Sequence, residues 1–179
     1  MSKPVELIPM FCTKCQNPIL AKPDETAWVC SQCNQGLILS DENALSPFQF
    51  HFASGIAPGK TGRPFWVVKG KGILQRSTFS GDQSGEMRTF WQNERLFFVP
   101  AHELPLDQMI ESGASLLRSE AILPTEGVPT PFLPVVIQRE DIQALAEFIV
   151  MGIEASRKDQ LRELKIDLAL QDPQLWILP

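Results

Sequence analysis

Cys12, Cys15, Cys30 and Cys33 are the only cysteines in a chain of 179 residues, and they fall into two C-x-x-C pairs separated by fourteen residues. That spacing constrains the N-terminal third more than any other feature. Two thiolates at i and i+3 in a tight turn grip one side of a tetrahedron, and a short hairpin brings the second pair to the other side. No cysteine is left for a disulfide framework elsewhere, so in a reducing compartment the cluster points to a metal ion. The intervening residues offer the hairpin: Ile19-Leu20-Ala21, a turn at Pro23-Asp24, and Ala27-Trp28-Val29 leading into the second pair. Leu37-Ile38-Leu39, after Gly36, adds a third strand.

Residues 10–40 resemble the zinc ribbon (rubredoxin-like) superfamily through Cys12-Thr13-Lys14-Cys15 and Cys30-Ser31-Gln32-Cys33. The resemblance makes all four cysteines ligands of Zn2+, and iron suits the same tetrahedral four-sulfur set. The glycine usual after each knuckle is replaced by Gln16 and Asn34, where a side chain has to be tolerated in a tight turn. Four cysteines leave no position for substrate or water, so such a metal is structural. A segment of about 30 residues buries too little apolar surface to fold alone, and metal binding supplies the missing free energy.

The remainder reads as an α+β domain, with the zinc ribbon at 1–45 and the larger domain at 46–179. The polar stretch Asp41 to Pro47 marks the boundary. Phe48, Phe50 and Phe52 alternate with polar residues as a strand, and Gly55 to Gly62 is a loop. Phe65-Trp66-Val67-Val68 is a buried strand, Gly70-Lys71-Gly72 a bend, and Gly81 to Gly85 a turn between the arms of an antiparallel hairpin. Its second arm runs from Met87 to Val99 in two pieces around Asn93. Leu106 to Leu117 has helical spacing, and Gly127 to Pro134 is an extended loop. The longest helix is expected to start near Arg139 and to continue for about 25 residues, through Leu161 and Leu164, by its 3.6-residue period. It packs on a mainly antiparallel sheet, with Glu154 and Lys158 paired on its outer side and Glu147, Glu154 and Glu163 on an acidic face. Ile166 to Leu170 and Leu175 to Leu178 are strands. Leu96 to Pro100 and Leu175 to Pro179 repeat an L-aromatic-apolar-apolar-P pattern, as a duplication would.

Function is less legible. Gly55 to Thr61 resembles a phosphate-binding loop but has Ser54 where the motif needs glycine, and no helix follows. His51 and His102 lack metal-ligand neighbours, and no nucleophile motif occurs. Net charge is −5, with twelve acids against six bases in 105–179, which disfavours nucleic acid and anionic membranes there. Lys60, Arg63, Lys69, Lys71 and Arg76 form an acid-free basic stretch that is a candidate anion contact. The expectation is a non-catalytic, cytoplasmic adaptor or assembly subunit that contacts another protein, with no small-molecule substrate identified and no membrane partner or span. Nucleic-acid binding through the ribbon and the basic stretch is the second reading. An enzyme with its site in 46–179 is the third.

Overall fold

A computed structural model describes residues 9–39 and 44–179. Asp41, Glu42 and Asn43, part of the expected boundary, lie outside the described residues. The fold is α+β, with two sheets among the described residues. The smaller joins β1 (Ala27–Val29), β2 (Gly36–Leu39) and β3 (Leu45–Pro47) as an antiparallel meander. Its third strand ends two residues beyond the boundary expected at 45.

The larger sheet is organised by one 18-residue strand, β5 (Arg63–Ser80). β6 (Arg95–Pro100) pairs antiparallel with the first part of β5 on one side. On the other side β8 (Gln174–Leu178) pairs with Arg63 to Val67, and β7 (Gln160–Leu170) pairs with Gly70 to Ser80. β4 (Phe50–Phe52) adds to β8 as the single parallel pairing between named strands. Alternation along β5 sends Trp66, Val68 and Leu74 into the main core and Phe65 and Val67 into a second cluster with Phe98 and Trp176. Three helices lie with the main core: α1 (Ser84–Trp91), α2 (Leu106–Arg118) and α3 (Ile142–Ala155), the last preceded by a 3₁₀ turn at Arg139–Asp141. They contribute Met87, Trp91, Ala114, Leu117, Ile149 and Val150 to it.

The expected long helix packed on a mainly antiparallel sheet is present but shorter than predicted. It spans 139–155, and Leu161 and Leu164 belong to β7. Leu164 fits a helical period and equally the alternation Leu164, Ile166, Leu168, Leu170, which the sheet uses. The helix is capped at Ser156, and beyond it the Asp159 carboxylate is bound by Arg76 and by the Gln83 N–H just before β7 begins. The expected bend at Gly70-Lys71-Gly72 is absent because β5 runs straight through it. Gly70 instead makes room for a neighbour, since a Cβ there would lie 2.5 Å from Leu170 Cδ2. The hairpin turn after Ser80 is replaced by α1, whose Met87 and Trp91 stand one helical turn apart and are both buried. In the ribbon, Ile19-Leu20-Ala21 forms no strand. Residues 10–12 fold against 17–19 instead, with Ile19 N–H donating to Met10 O at 2.9 Å, and Leu20 is left exposed.

Candidate metal centre

The two knuckles are built alike. Gln16 N–H donates to Cys12 O and Asn34 N–H to Cys30 O, both at 2.9 Å. Cys12 N–H then donates to Asn17 O and Cys30 N–H to Gln35 O, again at 2.9 Å. Closing so tight a turn takes left-handed backbone at the residue after each pair: φ is 59° at Gln16 and 57° at Asn34. These are the two positions where the sequence departs from the glycine usual in this motif, and both hold the conformation glycine would hold.

All four Sγ atoms lie within 4.8 Å of one another, with Cys12 to Cys33 and Cys15 to Cys30 at 3.6 Å. A tetrahedron with metal–sulfur bonds of about 2.3 Å has edges of about 3.8 Å. The thiols are therefore placed to hold a metal ion. Cys12 and Cys30 are buried against Leu37, Cys33 is half-buried, and Cys15 faces solvent. The backbone favours thiolates here. The Cys15 and Lys14 N–H groups lower the Cys12 thiol to about 6 against the opposing effect of burial. The Cys33 and Gln32 N–H groups likewise lower Cys30. Cys15 behaves oppositely: the Asn17 N–H lowers it, but burial and hydrogen bonds with Cys33, Cys30 and Cys12 win and push it up to about 12. Four sulfurs this close shed their last protons only when a cation compensates the charge, and bound metal supplies that compensation.

The centre is anchored to the sheet body. Thr26 N–H donates to Val135 O at 2.8 Å and Ala27 lies in the main core. Phe48 N–H donates to Gly36 O, so close that a Cβ on Gly36 would meet the Phe48 carbonyl at 2.1 Å.

The basic stretch does not act as one surface. Lys60, Lys69 and Lys71 are exposed, but both Nε and Nη2 of Arg63 donate to the Pro179 carbonyl. Arg76 is no anion contact at all. Its side chain is fully buried, 2.7 Å from Asp159 Oδ1 and 3.6 Å from Glu154 Oε2. Glu154 is equally buried and also binds Trp91 Nε1 and Arg157, so it makes no outer pair with Lys158. The expected acidic helix face dissolves accordingly, since Glu163 lies on β7. This buried charge cluster is the largest feature missed from sequence. The parity of β5 was its signal, because Arg76 shares the inward face of Trp66, Val68 and Leu74.

The histidines are not joined into a catalytic group. His51 stacks on Trp176 and donates from Nδ1 to Glu126 Oε1 at 2.5 Å. His102 is buried rather than in an open loop, with Nδ1 3.3 Å from Pro64 O. No helix among the described residues is long and apolar enough to cross a membrane. No family model, no curated protein and no solved structure matches the chain.

Proposed function

We propose that this chain is a non-catalytic zinc-ribbon adaptor or assembly subunit, in which Zn2+ held by Cys12, Cys15, Cys30 and Cys33 is structural and other proteins are the partners. The observation that carries the structural role is the donor set itself. Four thiols at tetrahedral spacing fill the coordination shell, so the ion has no open position for a substrate. The metal would hold the ribbon in shape against the body, with Leu37 packed on the buried sulfurs.

The protein-contact reading is supported by two large apolar side chains left open along β5, Ile73 and Phe79, which are 69% and 73% exposed. The nucleic-acid reading has less support, because two of its five cations are engaged within the chain. Affinity capture from a native extract, with and without nuclease, separates the two readings. A fixed set of proteins that survives nuclease and is lost with Ile73→Glu is the expected result. Captured nucleic acid, or proteins that vanish with nuclease and moderate salt, would replace the adaptor reading with the second one. Metal analysis of the purified protein checks the ion, with one zinc per chain expected.

A further inference from the structure

We infer that the protein self-associates through the open edge of β7, two copies pairing antiparallel about a two-fold axis at Ile166. This goes beyond the adaptor reading and stands on separate observations. Among the described residues β7 pairs with β5 alone, so one long edge of an 11-residue strand carries no partner strand. Long exposed edges are templates for a further strand.

The direction of the backbone groups follows from two hydrogen bonds. Gln171 N–H donates to Lys69 O at 2.8 Å, which makes that pair a hydrogen-bonded one. Hydrogen-bonded and open pairs alternate in an antiparallel ladder, so Ala169, Asp167 and Lys165 bond β5. Leu168, Ile166 and Leu164 then turn their N–H and C=O groups to the open edge. The second bond agrees: the Leu168 carbonyl accepts a side-chain donor, Gln143 Nε2, at 3.0 Å.

The side chains decide what fits that edge. Glu163, Lys165 and Asp167 alternate in sign on the outward face, and Leu164, Ile166 and Leu168 stand on the inward face. A strand guarded by like charges repels a second copy, whereas an alternating one can match itself. With the two-fold at Ile166, Lys165 faces Asp167 of the second copy twice, Ile166 faces its own mate, and Leu164 faces Leu168, whose carbonyl Gln143 Nε2 has to share or release. With the two-fold at Lys165, lysine would face lysine and Glu163 would face Asp167. With the two-fold at Leu164, the Glu163–Lys165 pairs would match, but Ile166 would sit opposite Arg162, where the β5 register shifts. The backbone direction allows all three registers, and charge and apolar pattern together select the one centred on Ile166. It would leave Ile73 and Phe79 uncovered and present them twice on a continuous sheet.

Light scattering coupled to gel filtration, across a concentration series up to millimolar, tests this with the full chain. The wild type should reach twice the monomer mass. Lys165→Asp sets acid against acid twice and should raise the dimer dissociation constant about tenfold or more at low salt. Lys165 is 71% exposed, so circular dichroism of that variant should match the wild type. The exchange Lys165→Asp with Asp167→Lys should restore the dimer, because the two-fold re-forms both pairs. Asp167→Lys alone provides the same test should Lys165→Asp fold poorly. A wild type that stays monomeric at millimolar concentration overturns the inference. A dimer indifferent to either single reversal, or a folded double exchange that fails to recover, overturns it too.

Discussion

Around Cys12 and Cys30 the buried apolar company is Leu37, with Ile19 alongside, whereas under α2 and α3 the sheet body buries Trp66, Phe97, Val99, Ile149 and many more. With a metal ion held as proposed, the ribbon would put its stability into four sulfurs and one ion, so a single lost ligand would remove most of what holds it. The body spreads its stability over dozens of side chains and loses a small share with any one of them. Polar groups are treated differently as well. The ribbon draws thiols together under backbone N–H groups, while the body hides the side chains of Arg76, Glu154 and Asp159 in a buried cluster. Each region should therefore fail in its own way.

The largest expected effect is at the metal. Cys30→Ser should release the ion and, with it, a binding free energy on the order of 10 kcal/mol that folds the ribbon. Amide hydrogen exchange should show protection lost across residues 10–39 while β5 stays protected. The body should weaken by about 2–3 kcal/mol, because Ala27 leaves the core and the Thr26–Val135 hydrogen bond is lost. All-or-none loss of protection over the whole chain would erase the contrast between the regions.

The next effect sharpens the contrast from the body's side. Arg76→Met takes the cation from the Asp159 carboxylate and leaves Glu154 with Arg157 alone, and breaking such a pair is strongly destabilising. Burial alone raises the Asp159 pKa, but the Arg76 hydrogen bond and charge and the Gln83 N–H outweigh it, so the carboxyl is held below its ordinary range. Denaturant unfolding should show the loss with the metal still bound. An unchanged midpoint would mean that the cluster is only tolerated.

How much of this was legible in the sequence differs between the regions for the same reason. The cysteine spacing fixes a local geometry, so the clustering of the four thiols and the two knuckles could be read directly, down to the left-handed Gln16 and Asn34. Strands buried on one face could be read from alternation, as at Phe65 to Val68. The echo between Leu96–Pro100 and Leu175–Pro179 reflects a shared setting, since β6 and β8 flank the same stretch of β5. What stayed hidden depended on distant partners. Trp91 is buried in α1 against Phe97 with its indole N–H donated to the Glu154 carboxylate, 63 residues away. Just beyond the end of α3, Asp159 meets an arginine 83 residues away in sequence. No local period carries that information.

A smaller effect lies in the body at mild acid. Burial lowers the His102 pKa below its ordinary 6.5, the Pro64 carbonyl opposes this, and the Arg63 charge adds to it. The unfolded chain therefore takes up this proton at higher pH than the folded one. Stability due to this residue is level above 6.5 and falls as pH drops from 6.5 toward the folded value. His102→Asn keeps a donor for Pro64 O and should remove up to about 1.4 kcal/mol per pH unit from that slope. Unfolding free energies measured between about pH 7 and about pH 5 check it. An unaltered slope would mean that His102 does not set the acid sensitivity of the body.

The smallest effect is stabilising and lies within the knuckles. Gln16 and Asn34 occupy the same left-handed backbone, with φ 59° and 57°, and donate equivalent hydrogen bonds. Side chains other than glycine cost about 1–2 kcal/mol there, and asparagine costs less than most because its short amide tolerates the conformation. Glycine gives back part of the gain by loosening the unfolded chain. Gln16→Gly should thus raise ribbon stability by about 1 kcal/mol and Asn34→Gly by clearly less, read as resistance to a chelator titration. Equal gains would show that backbone strain, rather than side-chain identity, sets the cost at both knuckles. A loss at Gln16 would mean that its side chain makes a contact worth more than the strain it imposes.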